Sequence, residues 1–165
     1  MNEQEKAYDT ETVREKINAS PFYRLMGIVL MEMQPGYSRL EAELSDDHLN
    51  VYGTVHGGVC ASLIDCAVGT ALIGNIGDVE RPSPTVEMKV NYLAPVTDGK
   101  LIVEGRLVHR GRTLAVGLAE VRRESGELVA VGTATYMSAR PQSSGPVSSA
   151  TGGTSAAGND PKTFR

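Results

Sequence analysis

The chain has 165 residues and 16 Lys and Arg against 20 Asp and Glu, giving a formal net charge of -4. That length suits one domain, and the acidic balance argues against a nucleic-acid binder, which normally shows a basic stripe. With 41% hydrophobic and 22% charged residues, the composition is that of an ordinary globular domain.

Read in chain order, the N-terminus MNEQEKAYDT is polar and acidic. It has no basic n-region and no apolar h-region, so no secretory leader is expected and the location is read as cytoplasmic. Residues 1–7 are read as a flexible N-terminus and 8–140 as the folded domain. Asp9 to Ala19 reads as a short amphipathic helix, capped by Asp9 or Thr10, with Val13, Ile17 and Phe22 turned inward. Two strands follow. In Tyr37–Leu44, Ser38, Leu40, Ala42 and Leu44 alternate with Tyr37, Arg39, Glu41 and Glu43. Val86–Tyr92 repeats the alternation, with Val86, Met88, Val90 and Tyr92 on one face. Leu101–His109, Leu114–Arg122 and Leu128–Met137 are joined by short turns at Arg110-Gly111-Arg112 and Glu124–Glu127, the mark of antiparallel hairpins. From Pro141 to Arg165 the chain is rich in Ser, Gly and Pro, and its only large apolar residues are Val147 and Phe164. It cannot bury enough surface to offset ordering, so 141–165 is read as a disordered tail.

Between the early and later strands lies Val55 to Gly77, VHGGVCASLIDCAVGTALIGNIG. It is long enough to suggest a membrane span, but five glycines and a central Asp65 argue against one. A helix apolar all round is instead a buried helix. The order is short helix, two strands, buried helix, four strands. It gives an α+β hotdog fold, a long central helix wrapped by a curved antiparallel sheet.

Asp65 is the one charged residue between His56 and Asp78. A carboxylate in an apolar helix is costly unless paired, which marks it as a candidate catalyst. Gly58, Ala61, Ser62, Gly69 and Leu72 lie at offsets of three, four and seven, on its side of the helix. Most are small, which packing alone would also explain. At the helix start, His56-Gly57-Gly58 offers backbone N–H groups at the positive end of the helix dipole, a candidate oxyanion hole. Gly57 and Asp65 are eight residues apart, roughly 12 Å along the axis. One carbonyl must lie within about 3 Å of both attacking group and oxyanion donors. One helix cannot serve both, so an acyl-transfer site built this way is shared between subunits of a two-fold dimer.

The run NVYGTVHGGVCASLIDCAVG (50–69) resembles the signature of hotdog-fold acyl-CoA thioesterases. It is most similar to the phenylacetate-pathway (PaaI) and thioesterase-superfamily-member-2 types. PTVEMKVNYLAP (84–95) and RGRTLA (110–115) are similar to that family's next strand and hairpin, so the resemblance spans roughly residues 20–138. It implies hydrolysis of an acyl-CoA to free acid and CoA by a homodimer or a dimer of dimers. By the same resemblance Asp65 is nucleophile or base and Gly57 the N–H donor to the thioester oxygen. Asn50 would contact the thioester or orient the attacking group, His56 would support the oxyanion loop, and Thr85 would orient water or the acid, with Ser83 a second candidate for that hydroxyl. Asn50 also suits a plain turn. Arg110, Arg112, Arg81 and Lys89 are candidate contacts for CoA phosphates, or ordinary surface charges. His48 and His109 read as loop or surface residues, no metal or other cofactor is expected, and Cys60 and Cys66 read as two buried free thiols. The competing readings are a hotdog enoyl or hydroxyacyl thioester hydratase-dehydratase and a non-catalytic acyl-CoA-binding module.

Overall fold

The computed structural model describes residues 9–77 and 83–138. The first element, α1 (Thr10–Asn18), starts at Asp9, whose carboxylate accepts the Glu11 N–H. Val13 and Ile17 face inward. Phe22 does not. It lies in a second short helix, α2 (Pro21–Leu25), which the sequence pattern does not predict, and is 46% exposed. Ser20 and Pro21 supply the start of α2, a hydroxyl at the cap and a ring preset for the first turn.

The strands are β1 (Ile28–Gln34), β2 (Tyr37–Glu43), β3 (Thr85–Tyr92), β4 (Lys100–Arg110), β5 (Leu114–Arg123) and β6 (Leu128–Met137). All neighbours are antiparallel, in the order β1-β2-β4-β5-β6-β3. The first strand after the central helix is therefore placed at the far edge.

That helix, α3, runs from Gly57 to Ile76. Gly77 stops it by adopting φ +74°, a left-handed conformation that suits glycine, and returns its N–H to Ile73 O. By length and hydropathy alone α3 could cross a membrane. Here its apolar sides meet the sheet: Leu63, Ile64, Ala67, Val68, Ala71 and Leu72 are buried with Leu40, Leu101, Val103 and Val121. Close approach requires Gly105 on β4, where a Cβ would stand 2.6 Å from the Ala67 backbone. Burial is not uniform around α3. Ala61, Ser62, Asp65, Cys66 and Gly69 form a half-buried stripe, and Gly58 is exposed. Leu72, expected on that stripe, is fully buried.

The architecture is the α+β hotdog arrangement. The expected N-terminal segment 1–7, the tail 141–165 and Arg81 lie outside the described residues.

Candidate active site

The site has two stations on α3. At its start, His56 is the N-cap, and its Nδ1 accepts the Gly58 N–H at 2.9 Å. His56 O accepts the Val59 N–H. These bonds consume two of the donors that a helix start leaves free. Gly58, one of the candidate oxyanion-hole residues, spends its N–H on His56. A Cβ on Gly58 would stand 2.9 Å from that same Nδ1, so glycine here serves the cap. The Gly57 N–H keeps no hydrogen-bond partner among the described residues. Beside it, Tyr92 donates its hydroxyl to Gly57 O at 3.1 Å. A cleft of about 320 Å³ opens there, lined by Val55, Gly57, Cys60, Tyr92, Leu93 and Val129 among others.

The second station is Asp65, two turns along. Thr85 donates its hydroxyl to Asp65 Oδ1 at 2.8 Å. Strand alternation alone would put Thr85 with Glu87 and Lys89 on the face away from α3. A bulge prevents this: Thr85 pairs with Tyr136 and Glu87 with Thr135, so β3 takes two steps where β6 takes one. Paired residues share a face, and Thr85 therefore turns toward Asp65 with Tyr136. Ser83, the other candidate hydroxyl, has a buried Oγ without a hydrogen-bond partner among the described residues.

Tyr136 is a functional candidate that the sequence pattern does not single out. Its hydroxyl lies 2.6 Å from the Asp65 carbonyl oxygen and 2.7 Å from Asp65 Oδ1. Burial, reinforced by the Asp65 charge, pushes its phenol well above the ordinary tyrosine range, so it remains a proton donor. Gly69, one turn beyond Asp65, gives the phenol room. A Cβ there would stand 2.8 Å from the Tyr136 hydroxyl. At least this member of the small-residue stripe is small for a side chain that meets the acid.

Other candidates are placed differently. Asn50 builds its own loop: Oδ1 accepts the N–H groups of Tyr52 (2.8 Å) and Thr54 (3.3 Å), and Nδ2 donates to Thr54 Oγ1 (2.8 Å). Arg110 and Arg112 are exposed on the β4–β5 hairpin. That hairpin meets the start of β3 at the end of β6, where Ser138 N–H donates to Thr113 O and Met137 N–H to Pro84 O. Lys89 is exposed on β3. His109 is exposed, but His48 is buried, and its Nδ1 accepts the Ser45 N–H at 2.9 Å in a 3-10 turn. Its structural role explains its burial. Both cysteines are free thiols; Cys60 is buried and Cys66 half-buried, and burial pushes the Cys66 thiol up to about 12. Among the described residues, no group of three His, Cys, Asp or Glu could hold a metal ion.

Known proteins share both the sequence pattern and the fold. Residues 52–130 match the family model described as Thioesterase superfamily. The chain is 31% identical to human acyl-coenzyme A thioesterase 13 over 135 residues, covering 76% of this chain and 94% of that one. Zebra fish thioesterase superfamily member 2 superposes with a TM-score of 0.68 at 27% identity, covering 77% of this chain and 96% of that one. A mutant form of the phenylacetic acid degradation protein PaaI from Thermus thermophilus gives 0.65 at 28% identity, covering 72% and 98%.

Proposed function

We propose that this chain, a member of the thioesterase superfamily and a thioester hydrolase, releases CoA and a free acid from an acyl-CoA, with Asp65 as the attacking carboxylate or the base that activates water. The observation that carries this reading is the Asp65 carboxylate itself: half-buried on a helix with no other charged residue, with one oxygen bonded to Thr85 and Tyr136 and the other unbonded among the described residues.

Gly57 N–H polarises the thioester carbonyl at the positive end of α3. The substrate's carbonyl oxygen accepts that bond while the carbon is attacked, and the C–S bond breaks with the sulfur leaving as the CoA thiolate. As base, Asp65 takes the proton of the attacking water; as nucleophile, it forms an acyl anhydride that water then cleaves to the free acid. A thiolate is a good leaving group, so no strong general acid is needed. His56 holds the oxyanion loop through the Gly58 cap. Arg110 and Arg112 are the proposed phosphate contacts, with Lys89 a further one. Arg81 is carried with them from the sequence.

Gly57 and Asp65 stand about 12 Å apart on one helix, so the reacting pair comes from two chains. Support for a homodimer is the β3 edge. Val86, Met88 and Tyr92 are 49%, 38% and 56% exposed there, next to the half-buried stripe of α3. Pairing of two dimers is part of the same proposal, supported by exposed Val108 and Leu118 on the outer sheet face. So is a cytoplasmic location, supported by two free thiols.

The test is a screen of acyl-CoAs for free thiol, run beside an enoyl-hydration assay, with Asp65→Asn as control. CoA release that falls about 10²- to 10⁴-fold in Asp65→Asn is expected. Hydration without CoA release, or an unchanged Asp65→Asn enzyme, overturns the reading.

A further inference from the structure

We propose that Tyr136 is a positioning residue for hydrolysis: with Thr85 it pins Oδ1 of Asp65, leaving Oδ2 as the oxygen that reacts. This rests on the reading of Asp65 given above. Thr85 and Tyr136 are cross-strand partners on β3 and β6, and their hydroxyls converge on the same carboxylate oxygen at 2.8 and 2.7 Å. Oδ2 receives no hydrogen bond from the described residues. A carboxylate held by one oxygen cannot turn about its terminal bond without breaking both contacts, so the pair fixes which lone pairs meet the substrate.

The phenol also reaches the Asp65 backbone carbonyl at 2.6 Å. Its single proton therefore stands between two acceptors of one residue and ties the carboxylate to the helix that carries it. Tyr136 is 5% exposed on an interior strand. Its hydroxyl occupies the space that Gly69 leaves open. The sheet thus supplies a fixed point, and the missing side chain of Gly69 supplies the room. A misplacement of the reacting oxygen by about 1 Å costs on the order of 10²-fold in rate, which is the scale on which such a clamp acts.

The experiment compares Tyr136→Phe, Gly69→Ala and the double variant as whole chains, reading kcat and KM for CoA release and the thermal midpoint. Tyr136→Phe keeps the ring and removes the hydroxyl; kcat should fall about 10- to 100-fold with KM within about twofold. Gly69→Ala should lower kcat similarly, because the added methyl meets the hydroxyl. The double variant should be no worse than the worse single one, since both act through one hydroxyl. A purely structural role would instead give multiplying losses that follow the thermal midpoint, and that result overturns the proposal. So does a Tyr136→Phe enzyme with kcat within about twofold of the parent. Either single variant carries the test if the other fails to fold. In a crystal structure of Thr85→Val/Tyr136→Phe, an Asp65 carboxylate that keeps its orientation also overturns it. An inactive parent removes the hydrolase reading and this one together. An active parent, a dead Asp65→Asn and an unaltered Tyr136→Phe remove this one alone.

Discussion

β2 and β3 carry the same alternation of apolar and polar residues, and the fold treats them oppositely. In β2, Ser38, Leu40 and Ala42 are buried, Leu40 completely. In β3, Val86, Met88 and Tyr92 of the matching row are left exposed, while Val90 is half-buried against the core. The strands differ in place. β2 lies between β1 and β4, beneath the buried flank of α3, whereas β3 is the last strand and borders only β6. Alternation decides which residues share a face; cover depends on what lies above that face. The sheet is wider than one helix can cover, and the uncovered part lies beside the acid-bearing flank of α3. An open strand edge with an apolar row invites another strand.

The contrast between a sealed and an open strand makes measurable demands. Leu40→Ala should lower the free energy of unfolding by about 2–5 kcal/mol, the usual cost of a large-to-small change in a sealed core. Urea denaturation with an unchanged slope would measure it, and a loss below about 1 kcal/mol would mean that β2 is not the sealed side. Met88→Glu places a charge on the bare face of β3. The chain should keep its circular-dichroism spectrum while the proposed dimer weakens, its Kd rising about 100-fold for roughly 3 kcal/mol of charge burial. CoA release per chain should fall with it. Sedimentation equilibrium that finds an unaltered dimer would move the interface elsewhere. The smallest effect concerns Cys66, on the half-buried flank. Its thiol is raised to about 12, chiefly by burial. A raised thiol is less ionised, so at pH 8 roughly one molecule in 10⁴ carries the thiolate that alkylates. Iodoacetamide labelling in the native state should be far slower than after unfolding; fast native labelling would show that this flank opens.

Much of this molecule is legible from local pattern. α3 is announced by an apolar run between His56-Gly-Gly and Gly77, and five strands by alternation and turn residues. The fold follows, because one helix apolar all round needs a sheet curved around it. α2 escapes such a reading because five residues show no periodicity, although Ser20-Pro21 is a start signal. The burial of His48 escapes it too, although Ser45, three residues earlier, stands at capping-box spacing. The site divides along the same line. Asp65 stands out because charge in an apolar helix is costly. Tyr136 lies 71 residues further on and sits in a strand where tyrosine is unremarkable. Only Gly69 hints at it, and a small residue says that something comes close without saying what.

A β-strand has a reading frame of two, and the extra residue near Val86 shifts that frame for Thr85 alone. Residues from Glu87 onward keep the frame that matches β6, while Thr85 is carried across to the side of the acid. The hydroxyl's usefulness is therefore written in parity as much as in residue type. Removing one residue from this stretch would leave the threonine in the sequence and turn it outward, so a chain could retain every catalytic letter and lose the arrangement they spell.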